Sequence, residues 1–372
     1  MAVEVLFLIV FLQGLVLSAL LTPFSIWLAI RTNHFDNPGH RKIHSQPHPV
    51  LGGLAIFIAF NLTVLADVFL LRSSLVTGDV LLRWDLTHVL IGELRGHLPG
   101  VLVVLGKLHA LLLGGVIVFL VGLWDDRRGL QPAWKLLWQF VAALILIRAR
   151  VRFDLFPGYP LINSVLTVLW VVGLSNAFNL LDNMDGLAGG VAAIVACFFA
   201  ACAYQMGQIF IVIIFVAFIG SVLGFLHYNR FPAKTFMGDA GSMLIGYLIG
   251  GLGVLMTFYD FSSKTSLALA KPLVILAVPA FDTLSVLAIR LKNRRPLFMG
   301  DRNHFSHRLV ALGMSQKHAV LFIYLVTFCT GLGALLIRKL DVWGAMVILL
   351  QVLIIFAIIA LLERVRTRDN QP

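Results

Sequence analysis

Charge is scarce in this 372-residue chain: only 13% of its residues are Asp, Glu, Lys or Arg, 59% are hydrophobic, and the mean hydropathy is +0.94. A soluble globular protein is excluded on those figures. Cysteine is rarer still, and Cys197, Cys202 and Cys329 all fall inside apolar runs. That excludes a disulfide framework and a Cys-based metal site. Acids are the minority charge, 18 against 29 Lys and Arg, for a net +11. The cations lie in short loops between apolar stretches, which makes them topology determinants and argues against a nucleic-acid partner. The first apolar run has no basic residue ahead of it and no small-residue cleavage site, so it is expected to stay as a membrane span. An internal repeat is missing too, which weakens the case for a transporter or flippase built from inverted repeats.

What is present in quantity is long apolar sequence. Runs bounded by charges, Pro and Gly predict an all-α polytopic membrane protein with about eleven spans, near residues 6–30, 50–71, 101–124, 134–147, 161–180, 187–204, 208–227, 242–259, 271–291, 318–337 and 342–362. The whole chain, 1–372, reads as one integral-membrane domain with a short basic tail at 363–372. Odd-numbered loops and the tail hold 18 Lys and Arg against 11 in the even-numbered loops, which predicts the odd loops and C-terminus in the cytoplasm and the N-terminus outside. Arg148, Arg150 and Arg152 fall on the wrong side of that rule. No chemistry is assigned to the outer loop at 72–100.

The same loop numbering sorts the acids. Asp36, Asp125, Asp126, Asp182, Asp185, Asp239 and Asp301 all lie in odd loops, so short, hard oxygen ligands gather on one membrane face. The first loop carries Arg41, Lys42 and His44 ahead of Gly52 and Gly53, donors suited to phosphate oxygens. Asp125 and Asp126 are adjacent, and like charges so placed need a cation or metal, with Arg127 and Arg128 a structural alternative. Lys135 and Gln139 follow at the start of the next span. On a continuous helix Asn179, Asp182 and Asp185 would share one face.

Asn229 and Lys234 precede Met237-Gly238-Asp239-Ala240-Gly241-Ser242, where the glycines would let backbone approach a ligand and Asp239 would be either a metal ligand or a helix N-cap. Asp282 sits inside an apolar run, either functional or the buried partner of a basic residue. The most basic loop brings Asp301, Arg302, His304 and His307 together, a set able to grip a diphosphate.

Taken in order, five of these motifs, from Asp36 to Gly313, resemble the polyprenyl-phosphate N-acetylhexosamine-1-phosphate transferases, a family that includes phospho-N-acetylmuramoyl-pentapeptide transferase. The resemblance implies transfer of a sugar phosphate from a UDP-sugar to a polyprenyl phosphate at the cytoplasmic face of a bacterial inner membrane. UMP is released, Mg²⁺ is required and Mn²⁺ is a substitute. It implies Asn179 and Asp239 as metal ligands, and Asp125, Asp126, Asp182 and Asp185 as catalytic groups that orient the lipid phosphate or bind the nucleotide. Arg41, Lys42, His44, Asn229, Lys234, Arg302, His304 and His307 would contact substrate. Some relatives form homodimers, although no residue here argues for one.

Two positions depart from the family pattern: Asn183 replaces a common Gly, a change tolerable if it adopts a left-handed conformation, and Ser306 replaces the middle His of a His-x-His-His motif. Pro47-His48-Pro49-Val50 and the last motif look nearer the N-acetylglucosamine-1-phosphate branch than the muramoyl-pentapeptide branch. The Asp-Gly-x-x-Ala-Arg pattern of CDP-alcohol phosphotransferases is missing.

Overall fold

A computed structural model describes residues 2–36, 47–77, 98–256, 269–296 and 303–369. The chain runs α1 (Ala2–Arg31), β1 (Phe35–Asp36), β2 (His48–Pro49), α2 (Gly52–Thr77), α3 (Leu98–Arg128), α4 (Pro132–Arg148), α5 (Pro160–Leu181), α6 (Leu187–Gln205) and α7 (Ile209–Asn229). It continues through α8 (Gly238–Leu255), α9 (Lys271–Ile275), α10 (Ala277–Lys292), α11 (Phe305–Ala311), α12 (Gln316–Ile337) and α13 (Val342–Asp369). The fold is all-α apart from one antiparallel pair, Phe35 with Pro49 and Asp36 with His48, at the neck of the first loop.

Every predicted span corresponds to helix, but nine rather than eleven are long and apolar enough to cross a membrane among the described residues. The fourth prediction is α4, whose 17 residues extend only about 25 Å against a hydrocarbon core of about 30 Å. The ninth is broken. Pro279 has no N–H to give the carbonyl of Ile275, so the helix divides at Leu276 into α9 and α10. Helix α13 runs on beyond the last predicted span to Asp369.

The central element is α8, buried from Ala240 to Val254 and packed against α2, α3 and α5. The outermost helices are apolar all round and turn Leu8, Leu12 and Leu20 of α1, and Leu350 and Leu353 of α13, outward, as lipid-facing helices do. Small residues set the spacing inside. A Cβ on Gly122 of α3 would lie 2.4 Å from the Cα of Ala240, so only glycine lets α3 reach the start of α8.

Hydrogen bonds tie the odd-numbered connections together at one end of the bundle. Phe236 N donates to Pro49 O at 2.9 Å, Ala233 N to Asp185 Oδ2 at 2.9 Å, and Asp239 N to Asp126 Oδ1 at 2.7 Å. The hydroxyl of Ser306 donates to Asn183 Oδ1 and adds the fifth connection. Replacing Gly122 by Leu is expected to lower stability by about 1–3 kcal/mol through overpacking at α3 and α8, read as a drop in midpoint in thermal unfolding of the detergent-solubilised protein; an unchanged midpoint would contradict this packing.

Candidate active site

The site grows from three helix ends. α3 closes with Asp125 and Asp126, α5 closes with Asn179 and Asp182, and α8 opens with Gly238 and Asp239. The start of α8 sits four residues earlier than its apolar run predicts, so the Gly238 to Ser242 motif forms the first helical turn rather than a loop. Asp239 is not the N-cap, a position held by Met237. The capping carboxylate comes from another helix: Asp126 Oδ1 accepts from Asp239 N at 2.7 Å and Oδ2 accepts from Ala240 N at 3.1 Å. A carboxylate there meets the unpaired N–H groups and the positive end of the helix dipole. Gly238 has φ +71°, and a Cβ on it would lie 2.5 Å from Asp126 Oδ2. The room expected for a ligand beside Gly238 and Gly241 is taken by the protein itself, by Asp126 and by Gly53.

With Asp126 so occupied, the remaining carboxylates face Lys135. Its Nζ lies 2.7 Å from Asp239 Oδ2 and also pairs with Asp125. Asp125 is buried and accepts from Leu130 N. Arg127 and Arg128 are exposed, and the counter-charge shared by Asp125 and Asp239 is Lys135 of α4. Asn179 Nδ2 donates to Asp239 Oδ1 at 2.9 Å and to Ser242 Oγ at 3.0 Å, and Gln139 accepts from Asn176 at 2.6 Å just inside. A lone Lys near the start of an apolar helix, next in sequence to paired acids, is the signal that marks Lys135 as part of the site.

The helical face predicted for Asn179, Asp182 and Asp185 does not extend that far. α5 stops at Leu181, Asp182 caps it, and the chain turns through Gly186 at φ +75° into α6. Asn183 keeps a negative φ, so the left-handed residue of this turn is Gly186. Asp185 points to the α7–α8 connection and accepts from Ala233 N. Asp182 stays with the cluster. Burial, then the charges of Asp239, Asp126 and Asp185, hold its carboxyl well above the ordinary carboxylate range.

Asn229 is only 2% exposed and both ends of its amide are engaged: Oδ1 accepts from Gly186 N at 3.1 Å and Nδ2 donates to Thr235 O at 2.9 Å. It braces two loops from beside the Asp185 turn. Lys234 is exposed, with Nζ 5.9 Å from the centre of the Tyr228 ring.

His304 Nδ1 lies 3.0 Å from Asp282 Oδ2, while Asp282 Oδ1 accepts from Phe305 N at 2.6 Å. Asp282 is thus the partner of a basic side chain, and it fixes the His304 ring at the start of α11. His307 lies beside it, the ring centres 6.2 Å apart. Ser306 and Asn183, the two departures from the family pattern, bond to each other and hold this segment against the Asp182 turn. Arg41, Lys42, His44, Asp301 and Arg302 lie outside the described residues.

Among the described residues no three His, Cys, Asp or Glu side chains converge as a ready-made metal cage. A hard cation would still find two carboxylates, Asp125 and Asp239, and the Asn179 amide, with water completing its shell as Mg²⁺ prefers. The Lys135 ammonium, set between those carboxylates, shows that the position attracts positive charge.

Two outcomes follow from this electrostatics. Asp126→Ala leaves two helix-start N–H groups without their acceptor and is expected to cost about 1–2 kcal/mol, read from thermal unfolding. The raised Asp182 value means that folding takes up a proton, so this group's contribution is present at low pH and is lost as pH rises through its folded-state value. A divalent cation bound close by would favour the ionised carboxyl, so cation-induced thermal stabilisation is expected to grow as pH rises, and a shift that does not change with pH would contradict it.

Comparison with known proteins places this geometry. Residues 108–257 match the family model for glycosyl transferase family 4. Over 365 residues the chain is 32% identical to a Bacillus subtilis protein named "Probable undecaprenyl-phosphate N-acetylglucosaminyl 1-phosphate transferase", covering 95% of this chain and 90% of that one. A decaprenyl-phosphate N-acetylglucosaminephosphotransferase of Mycolicibacterium smegmatis is 32% identical over 349 residues, 85% of this chain and 79% of the relative. A phospho-N-acetylmuramoyl-pentapeptide-transferase of Levilactobacillus brevis is 36% identical over 177 residues, covering 41% of this chain and 55% of the relative. With the odd loops and their acids joined at one end of a multi-pass bundle, and relatives alike over nearly its whole length, this chain belongs to the polyprenyl-phosphate N-acetylhexosamine-1-phosphate transferases of glycosyl transferase family 4.

Proposed function

We propose that this chain transfers N-acetylglucosamine-1-phosphate from a UDP-sugar to a polyprenyl phosphate carrier and releases UMP, with Mg²⁺ as its cofactor. The reaction lies on the cytoplasmic face of a bacterial inner membrane, with the N-terminus outside, and begins a lipid-linked glycan. The observation that carries the reading is the Asp125, Asp239 and Asn179 group held against a single cation, Lys135, at a membrane helix end. The names of the relatives that match along most of the chain support the N-acetylglucosamine donor. The muramoyl-pentapeptide relatives match a smaller part of it, and family membership sets the transporter reading aside.

In the transfer, an oxygen of the carrier phosphate attacks the sugar-linked phosphorus of the diphosphate. A new P–O–P bond forms, the bond from that phosphorus to the UMP oxygen breaks, and UMP leaves with the electron pair. The attacking phosphate is already ionised near neutral pH, so no side chain has to remove a proton from it. Catalysis therefore falls to positioning and to neutralising two anions brought together. Mg²⁺, when bound, offsets charge on the diphosphate and on the departing UMP.

The chain's own residues do the rest. Asp126 fixes the first turn of α8 and so aims Asp239, a positioning role rather than proton transfer. Lys135, once its carboxylates have another cation, is a point charge free to hold a phosphate oxygen. Asp282 holds Nδ1 of His304, leaving Nε2 as the nitrogen that meets phosphate when the ring is protonated. Asp182 and Asp185 line the turn beside the nucleotide, with Lys234, His307 and the first-loop cations Arg41, Lys42 and His44 completing the grip together with Arg302.

The purified protein, given undecaprenyl phosphate and a panel of UDP-sugars, is expected to release UMP with UDP-N-acetylglucosamine in a Mg²⁺-dependent manner. Asp239→Asn should lose roughly a hundredfold or more in turnover. Asp282→Asn, which only misorients His304, should lose about tenfold. No UMP from any donor, with protein shown to be folded, would overturn the assignment.

A further inference from the structure

Two of the three arginines that break the charge rule, Arg150 and Arg152, meet at a cavity on the membrane face opposite the carboxylates. It has a volume of about 800 Å³ and lies between the first turns of α3, the α4–α5 connection, the outer half of α5, the end of α8 and the start of α9. Lys107, Arg150 and Arg152 line it, and the acid among its lining residues is Asp154, which Asn163 contacts at 3.4 Å. Among the described residues none of the three cations has a side-chain partner, and Arg150 and Arg152 stand exposed at the cavity mouth.

The backbone points the same way. Arg150 follows the end of α4 with φ +61°, and Val151 N donates to Leu146 O at 2.8 Å, the closing bond of a helix terminus that normally uses glycine at this place. An arginine here accepts a conformational cost that glycine would avoid, and gains a guanidinium at the mouth of the cavity. The rest of the lining is apolar. Leu169 and Leu273 are 64% and 60% exposed, and Leu269 is 42% exposed, so the cavity opens sideways toward hydrocarbon.

We propose that this cavity binds an anionic phospholipid, its phosphate against Lys107, Arg150 and Arg152 and its chains along the exposed leucines. A fork of guanidinium groups matches a phosphate, and a lateral apolar mouth excludes a ligand that arrives from water alone. The reacting carrier does not fit here. Lys107 and Asp125 are 18 residues apart on α3, roughly 27 Å, so a phosphate in this cavity is beyond reach of the catalytic acids. The site is therefore a structural or regulatory lipid site that stands apart from the transfer chemistry.

Native mass spectrometry of the full chain, loaded with phosphatidylglycerol, phosphatidylcholine or undecaprenyl phosphate, tests this. Phosphatidylglycerol is expected to be retained in preference to phosphatidylcholine, and the preference should fall about fivefold for each of Lys107→Gln, Arg150→Gln and Arg152→Gln. Arg150→Gly separates ligand binding from folding, because it relieves the backbone while removing the charge. It should keep or raise the unfolding midpoint in lipid-free detergent and still lose the preference. Equal retention of both phospholipids, an unchanged preference in these variants, displacement of phosphatidylglycerol by inorganic phosphate, or undecaprenyl phosphate bound in a manner lost with the cavity variants would each overturn the proposal.

Discussion

Everything at the working end of this molecule depends on keeping carboxylates close together at the edge of a membrane. Two like charges about 4 Å apart repel by about 4 kcal/mol at the effective dielectric of a protein surface, and burial beside apolar helices raises the cost further. The chain meets that cost with three different devices. Asp126 spends both oxygens on the N–H groups that begin α8, Asp125 and Asp239 share the Lys135 ammonium, and Asp182 is driven toward its neutral form by burial and its charged neighbours. Asp125 and Asp239 are thereby left able to exchange the ammonium for another cation, whereas Asp126, whose partners are backbone, is not.

The helical scaffold follows from that constraint. α3 must run against the first turn of α8, and glycine at 122 and 238 makes the approach possible. α5 must end where it does so that Asn179 reaches Asp239 while Asp182 turns inward, and the turn is completed by Gly186 and braced by Asn229. The last motif is tied in by Ser306 to Asn183 and by His304 to Asp282. One tie comes from the α5–α6 turn and the other from α10, and together they hold α11 in place.

Much of this was legible in the residues. Apolar runs located every membrane helix because the bilayer imposes a length, and the exclusive use of Asp in the odd loops pointed to one reactive face. What misled was local pattern at the ends of helices. Three-residue spacing implied a continuous helix through Asp185, yet Asp, Asn and Gly at its end favour a turn. The span at 271–291 looked continuous by hydropathy, which does not register the hydrogen bond that Pro279 removes.

By itself the sequence determined the class of solvent, the number of apolar segments and the chemical type of the site, since hydropathy and residue type are properties of single positions. The tertiary structure alone decided which side chain serves which partner. Lys135 rather than Arg127 answers Asp125, Asn229 braces two loops, and Arg150 faces a cavity far from the carboxylates. Those assignments depend on distances between segments far apart in sequence, 104 residues for Lys135 and Asp239, and no local pattern carries that distance.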